Sequence, residues 1–317
     1  MGRCAVVRIG AWFVLICLLV WNTAVAPSGV AAQGRDGRGS IVVDGDTRTY
    51  SVHLPPGYDG KGAVPLVLVL HGAYQTGAEI RRLSGFDAVA DANGTIAVYP
   101  DGIGRHWADG RATSAQEQGV NDVAFLTALL DRLATEYATD RRRVYAAGFS
   151  NGGFMIGRLA CDVPGRFAAV ALVASAVSAQ VAAECATGRA MPTIFMHGTA
   201  DPIVPVAGVP EMRRGITVGP YLSTSESVAF WANRNGCAAP PAVTDLPAQA
   251  DSAMGVRRES YMGCRDGADV VAYEIAGAGH IWPGGPQYLP VFLVGRTTQN
   301  LDGSAAIWRF FDAHPQA

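Results

Sequence analysis

Val144-Tyr145-Ala146-Ala147-Gly148-Phe149-Ser150-Asn151-Gly152-Gly153 decides how this chain reads. Its first four residues form an apolar strand pattern, and Gly153 to Cys161 follow as a predicted helix. Between them stands G-x-S-x-G, whose glycines permit a sharp strand-to-helix turn that holds Ser150 exposed at the strand's carboxyl end. The helix that follows adds the partial positive charge of its N-terminus beside any oxyanion formed there. A serine displayed this way is a candidate nucleophile.

Outward from that turn, strands alternate with helices. Val64 to Leu70 is an unbroken run without charge, as a strand buried on both faces requires. Further strands are predicted at Ile41 to Val43, Arg48 to Leu54, Thr95 to Tyr99, Arg143 to Ala147, Ala168 to Val173, Thr193 to Met196 and Val270 to Ile275. Helices are predicted after the cap Asn121-Asp122, over Ser223 to Asn235, and over Leu301 to Ala313. The alternation, with two opening antiparallel strands, predicts one α/β domain: a mostly parallel central sheet flanked by helices. It is expected over 41–317, after a flexible segment at 33–40, with Ala238 to Ala250 as a surface excursion inside it.

A serine needs a base to take its proton. Among six histidines, His53 lies in an opening strand and His314 near the C-terminus, while His71 and His197 end apolar strands before glycine and are expected to order loops. His106 stays open as a loop residue. His280 leaves the last predicted strand on the Gly-rich loop Gly277-Ala278-Gly279, which returns it over the sheet's carboxyl edge, and it is the expected base. An acid must orient that imidazole. Asp201, in the turn after the strand ending at Met196, is preferred over Asp245, Asp251, Asp266 and Asp269. The order Ser150, Asp201, His280 is the one α/β-hydrolases use. Two backbone donors are expected for the oxyanion, the N–H of Asn151 and that of Ala73, with Tyr74 as the alternative to Ala73.

Composition sets the outer limits. The 317 residues are 49% hydrophobic with a formal net charge of −2, enough apolar matter for a core and no broad basic face for nucleic acid. Arg3 and Arg8, the uncharged run Ile9 to Trp21 and the small residues Ala24 to Ala32 read as a secretory signal over 1–32, with cleavage after Ala32 preferred over cleavage after Ala26. That run is too short to span a bilayer, so no stable membrane span is expected after its removal. The destination is extracellular. Cys161, Cys185, Cys237 and Cys264 then remain in an oxidising compartment, where three pairings are open and the sequence-neighbour one, Cys161 with Cys185 and Cys237 with Cys264, is expected.

Leu70-His71-Gly72-Ala73-Tyr74-Gln75, Tyr99-Pro100-Asp101-Gly102, Asp122-Val123, Gly148-Phe149-Ser150-Asn151-Gly152-Gly153, His197-Gly198-Thr199-Ala200-Asp201 and Gly279-His280-Ile281-Trp282-Pro283-Gly284 together resemble a secreted group of the α/β-hydrolase superfamily. It is the polyhydroxybutyrate depolymerase and feruloyl/acetylxylan esterase group. The likeness runs from about Ser40 to Ala313 and implies Ser150, Asp201 and His280 as the triad. Depolymerases carry Cys where this chain has Ala73, and no binding module follows Ala313, so soluble esters or oligomers are the expected substrates rather than crystalline polymer. Trp107, Pro202 to Tyr221 and Trp282 to Thr298 are the candidate substrate contacts. Trp282 could stack on an aromatic ring such as a ferulate or simply fix the histidine loop. The expected function is a serine esterase for feruloyl, acetyl or hydroxybutyrate esters, with no metal and no organic cofactor. A noncatalytic glycan-binding protein on the same scaffold and a serine peptidase are the alternatives.

Overall fold

The computed structural model describes residues 36–317 apart from 112, 114, 116–117, 186–187, 210–218, 249, 252 and 317. The expected signal at 1–32 lies outside the described residues. In chain order the elements that position the site are β1 (Gly37–Val43), β2 (Asp46–His53), β3 (Val64–Leu70), α1 (Gly77–Ser84), α2 (Phe86–Asn93), β4 (Ile96–Pro100), α3 (Asp122–Glu136), β5 (Thr139–Phe149), α4 (Asn151–Asp162), β6 (Ala169–Val173), α5 (Ala179–Glu184) and β7 (Thr193–Gly198). They continue with α6 (Thr224–Asn235), β8 (Ala242–Leu246), β9 (Val256–Tyr261), β10 (Val270–Ile275), α7 (Val291–Val294) and α8 (Gly303–Asp312).

All ten strands join one sheet in the order β1-β2-β4-β3-β5-β6-β7-β10-β9-β8. The six central strands, β4 to β10 in that order, run parallel; the pairs at either edge are antiparallel. Side chains alternate across the sheet with period two. Thus Leu66, Leu68 and Leu70 of β3 pack with Phe125, Leu129 and Met155 on the face covered by α3, α4 and α6. Val67 and Val69 pack on the other face with Ile80, Phe86, Ile307 and Phe311 of α1, α2 and α8. This is the α/β-hydrolase sheet the sequence predicts. Helix ends follow local chemistry: Asn121 caps α3 through Ala124 N–H, and Ser223 with Glu226 forms a capping box on α6, which Gly236 ends in a left-handed conformation.

Two expectations need correction. Gly37–Ser40, read as flexible, are strand: they pair with Thr49–Val52, a ladder built from backbone groups that needs no apolar side chains, and Gly39 leaves room for the Tyr50 ring. Ala238–Ala250, read as an excursion, contains the edge strand β8, paired with β9. Ala242 to Asp245 are exposed, so no hydrophobic alternation marked it. Both disulfides have the expected pairing, Cys161–Cys185 and Cys237–Cys264, with Cα–Cα distances of 5.2 and 3.9 Å. The first ties the end of α4 to the end of α5.

Candidate active site

Parallel register sets the site's position. Leu70 is level with Gly148, Phe149 with Val173, Val173 with Met196, and Gly198 with Ile275. The loops carrying Ala73, Ser150, Asp201 and His280 therefore all leave one edge of the sheet, the carboxyl edge where such folds bind ligands.

Ser150 occupies a strained turn with φ 53° and ψ −123°, a region an L-residue enters only when its surroundings enforce it. Its N–H donates to Val173 O at 2.9 Å, and its carbonyl accepts from Phe154 N–H at 3.0 Å. Gly152 is obligatory: a Cβ there would stand 2.5 Å from the carbonyl oxygens of Leu70 and His71. The elbow is thus pressed against the loop after β3.

His280 Nδ1 donates to Asp201 Oδ2 at 2.7 Å, both side chains being buried. With Nδ1 so engaged, Nε2 is the nitrogen free to take a proton. The other Asp201 oxygen accepts the N–H groups of Ile203 and Val204, each at 2.8 Å. Burial alone would raise the pKa of Asp201. The charge of His280 and hydrogen bonds from His197 and His280 outweigh it and hold the carboxyl well below the usual range. The His280 backbone is fixed too, its N–H donating to Val294 O at 2.6 Å, and Gly279 leaves space for that crossing.

Ser150 and His280 both line a cavity of about 690 Å³, with Gly72, Ala73, Phe149 and Tyr288 among its walls. Among the described residues, no protein acceptor takes the N–H of Ala73 or of Asn151, the first residue of α4. Tyr74 is excluded as a donor because its N–H is given to Arg105 O at 2.9 Å. Ala73 is then the remaining candidate for the second donor.

The two tryptophans need correction. Trp107 is completely buried, donating its indole N–H to His71 O at 2.9 Å and stacking on Phe125. Trp282 is 1% exposed and donates to Ser304 Oγ at 2.9 Å. Neither lines the cavity; each packs a loop that carries site residues. Within Pro202 to Tyr221, Ile203 does line it, while 210–218 lie outside the described residues. The rival residues are elsewhere: Asp251 pairs with Arg296 and Asp269 with His314, Asp245 and Asp266 are exposed, and His106 Nδ1 bonds Gly104 O.

His71 and His197 order loops as the sequence predicts, and the structure supplies their partners; the sequence assigns no role to Asp122. His197 Nε2 donates to Val204 O at 2.9 Å with Asp201 Oδ2 at 3.3 Å, and its Nδ1 accepts from Thr224 Oγ1 at 2.8 Å, so it braces the acid turn. His71 donates from Nδ1 to Gly72 O and accepts the Gly102 N–H at Nε2, and burial pushes its pKa down to about 4. Buried Asp122 accepts from Arg48 at 2.5 Å and from Ala108 N–H at 2.7 Å, fixing the loop that carries Trp107. Its only sequence signal was the Asp-Val pair. Among the described residues no group of three or more His, Cys, Asp or Glu side chains gathers as metal ligands would.

A family model described as "Putative esterase" matches residues 43–257, a span that contains Ser150 and Asp201. "Putative esterase NocK" of Nocardia uniformis subsp. tsuyamanensis is 35% identical over 273 residues, covering 82% of this chain and 78% of its own. "Feruloyl esterase C" of Emericella nidulans is 28% identical over 72% of this chain and 75% of its own. Among solved structures, the acetyl xylan esterase from Aspergillus awamori aligns with a TM-score of 0.58 at 15% identity, covering 86% of this chain and 98% of that one, a likeness of fold.

Proposed function

Because the chain belongs to the "Putative esterase" family and is a carboxylic ester hydrolase, we propose that it acts through an acyl-enzyme on Ser150. Ser150 Oγ attacks the ester carbonyl carbon while His280 Nε2 takes the hydroxyl proton. The tetrahedral oxyanion accepts from the N–H groups of Asn151 and Ala73. Its collapse breaks the bond to the alcohol, which leaves with the proton from His280. Water then repeats the attack on the acyl-enzyme, with His280 again as base, and releases the acid and free Ser150.

The observation that carries this reading is the buried His280–Asp201 hydrogen bond of 2.7 Å beside a cavity whose wall also holds Ser150. Phe149, Tyr288 and Tyr74 supply aromatic walls, which suit an aryl acyl group such as ferulate over acetyl or hydroxybutyrate. Relatives named feruloyl esterases support that ranking. Secretion is part of the proposal, supported by the signal-like first 32 residues and two disulfides.

The test is hydrolysis of p-nitrophenyl acetate and methyl ferulate by the native chain and by Ser150→Ala, with labelling by a fluorophosphonate. Turnover and labelling are expected in the native chain alone. Turnover retained in Ser150→Ala with its fold intact would end the acyl-enzyme reading, and amide cleavage at comparable rates would favour the peptidase.

A further inference from the structure

On the face of the sheet where α8 packs over β5, β6 and β7, the ladder continues past the helix through β10, β9 and β8. Arg258 of β9 stands on that face, and its Nε is buried with no hydrogen-bond partner among the described residues. An opposite charge directly across the ladder would stabilise it. Register instead sets Thr244 of β8 on one side of Arg258 and Tyr273 of β10 on the other. Neither is an acid. Arg257 and Glu259, one residue before and one after, point to the opposite face, where they pair with each other at 3.4 Å. A guanidinium nitrogen withdrawn from water without a partner costs free energy that some ligand can recover.

Arg258 lines a cavity of about 510 Å³ between these strands and α8. Ile194, Val271, Tyr273 and Phe310 supply its apolar walls, and Arg309 of α8 a second guanidinium. The single carboxylate in the described lining, Asp269, faces His314 Nε2 at 3.5 Å. With two guanidiniums against one carboxylate, the wall is net positive whether or not that imidazole is protonated. The carbonyls ending α8 do not answer the guanidiniums, since His314 takes Phe310 O through Nδ1 at 2.6 Å and Phe311 O through its N–H at 2.9 Å. This cavity shares no lining residue with the catalytic one.

We propose that this cavity is a second binding site, for a small monoanion with an apolar body, an aryl- or alkyl-carboxylate. The carboxylate accepts from Arg258, Nε included, and from Arg309, while the body packs on Ile194, Val271 and Phe310. The volume is that of a small-molecule site. A bare inorganic anion would leave the apolar walls wet, and a neutral ligand would leave the Arg258 charge unanswered. Ester hydrolysis releases acids of this class, yet binding here does not depend on Ser150, so the inference stands apart from the acyl-enzyme reading.

The test titrates 4-phenylbutyrate, and 4-phenylbutanol as its uncharged counterpart, into the native chain with NMR-labelled isoleucine and valine methyl groups. Ile194 and Val271 report this cavity, and Ile203 reports the catalytic one. Saturable shifts at Ile194 and Val271 are expected with the carboxylate, at least about tenfold weaker with the alcohol and at least about tenfold weaker in Arg258→Met. p-Nitrophenyl acetate turnover by Arg258→Met is expected to equal the native rate, because Arg258 is absent from the catalytic wall. Shifts confined to Ile203, equal affinity for the alcohol, unchanged affinity in Arg258→Met, or equal affinity for sulfate would each overturn the proposal. So would a dimer seen by sedimentation that Arg258→Met dissociates. Should Arg258→Met not fold, the comparison of carboxylate with alcohol in the native chain decides alone. Failure of the native chain to hydrolyse p-nitrophenyl acetate would strike the esterase mechanism and leave this site untouched.

Discussion

The side-chain amide of Asn151 brackets the backbone of Trp107: its Oδ1 accepts the Trp107 N–H at 2.7 Å and its Nδ2 donates to the Trp107 carbonyl at 3.0 Å. Nδ2 also reaches Asp109 Oδ2 at 2.6 Å, and Asp109 is paired with Arg111, whose guanidinium lies 3.5 Å from the centre of the Phe154 ring on α4. The residue whose N–H is assigned to the oxyanion thus also locks the 107–111 loop onto the nucleophile helix.

Asn151→Asp is the diagnostic change. It puts a carboxylate where the amide donated to Asp109 and to the Trp107 carbonyl, replacing two buried hydrogen bonds by repulsion. A stability loss of about 2–4 kcal/mol is expected, larger than for Asn151→Ala. Denaturant unfolding of the two variants checks the order, which should reverse if the bracket carries no weight.

His71 predicts a pH effect of defined sign. Its folded pKa of about 4 lies below the unfolded value of about 6.5, because burial penalises the charged form and Nε2 must stay free of a proton to accept the Gly102 N–H. The contribution is complete above pH 6.5 and is lost as pH falls toward 4, amounting to about 3 kcal/mol. His53, raised among Asp36, Asp91 and Asp87 against the pull of its partial burial, acts in the opposite sense. The clean measurement is therefore an NMR titration of the His71 ring in a His53→Gln chain. A midpoint near 4 is expected; a midpoint near 6.5 would contradict the buried acceptor role.

The parts of this molecule legible in its sequence are those written in local pattern. Val64 to Leu70 could only be a strand covered on both faces, and G-x-S-x-G between a strand and a helix could only be a sharp turn. Chain order then placed Asp201 and His280 at the same edge. What stayed hidden depended on partners distant in sequence. Trp107, from a loop expected near the triad, and Trp282, two residues after His280, were candidate ligand contacts, with fixing the histidine loop an open alternative for Trp282. Burial against Phe125 and the bond to Ser304 make both packing residues. His197 reads as a loop-ordering residue, but its partner Thr224 does not emerge from the sequence, nor does the Asn151 bracket on residues 42 and 44 positions away. β8 was lost because Ala242 to Asp245 bury nothing.

The Cys161–Cys185 disulfide closes a loop of 24 residues at the far end of α4 from Ser150. Cys161→Ser/Cys185→Ser is expected to lower unfolding free energy by about 3 kcal/mol through the freed denatured chain. Turnover at moderate temperature should persist, because the Ser150 turn is held by Val173 and Phe154 instead. Equal melting temperatures in the variant and the native chain would refute this.

Asp201→Asn separates charge from shape. Oδ1 of Asp201 is claimed by the Ile203 and Val204 N–H groups, so the carboxamide oxygen takes that place and its NH₂ faces His280. His280 Nδ1 must then accept, which moves the ring proton to Nε2, where it blocks abstraction from Ser150. The expected result is a fall in kcat of about 10³–10⁴ with KM little changed, the size seen when a serine triad loses its acid. Stability provides an independent check. The depressed pKa of Asp201 means that its ionised form supports the fold above the unfolded value of about 3.9, and that this support is lost as pH falls through the folded value. Asp201→Asn should therefore remove part of the stability loss that the native chain shows in acid below about pH 4. Unchanged kcat together with an unchanged acid profile would mean that the 2.7 Å contact neither orients the base nor carries charge.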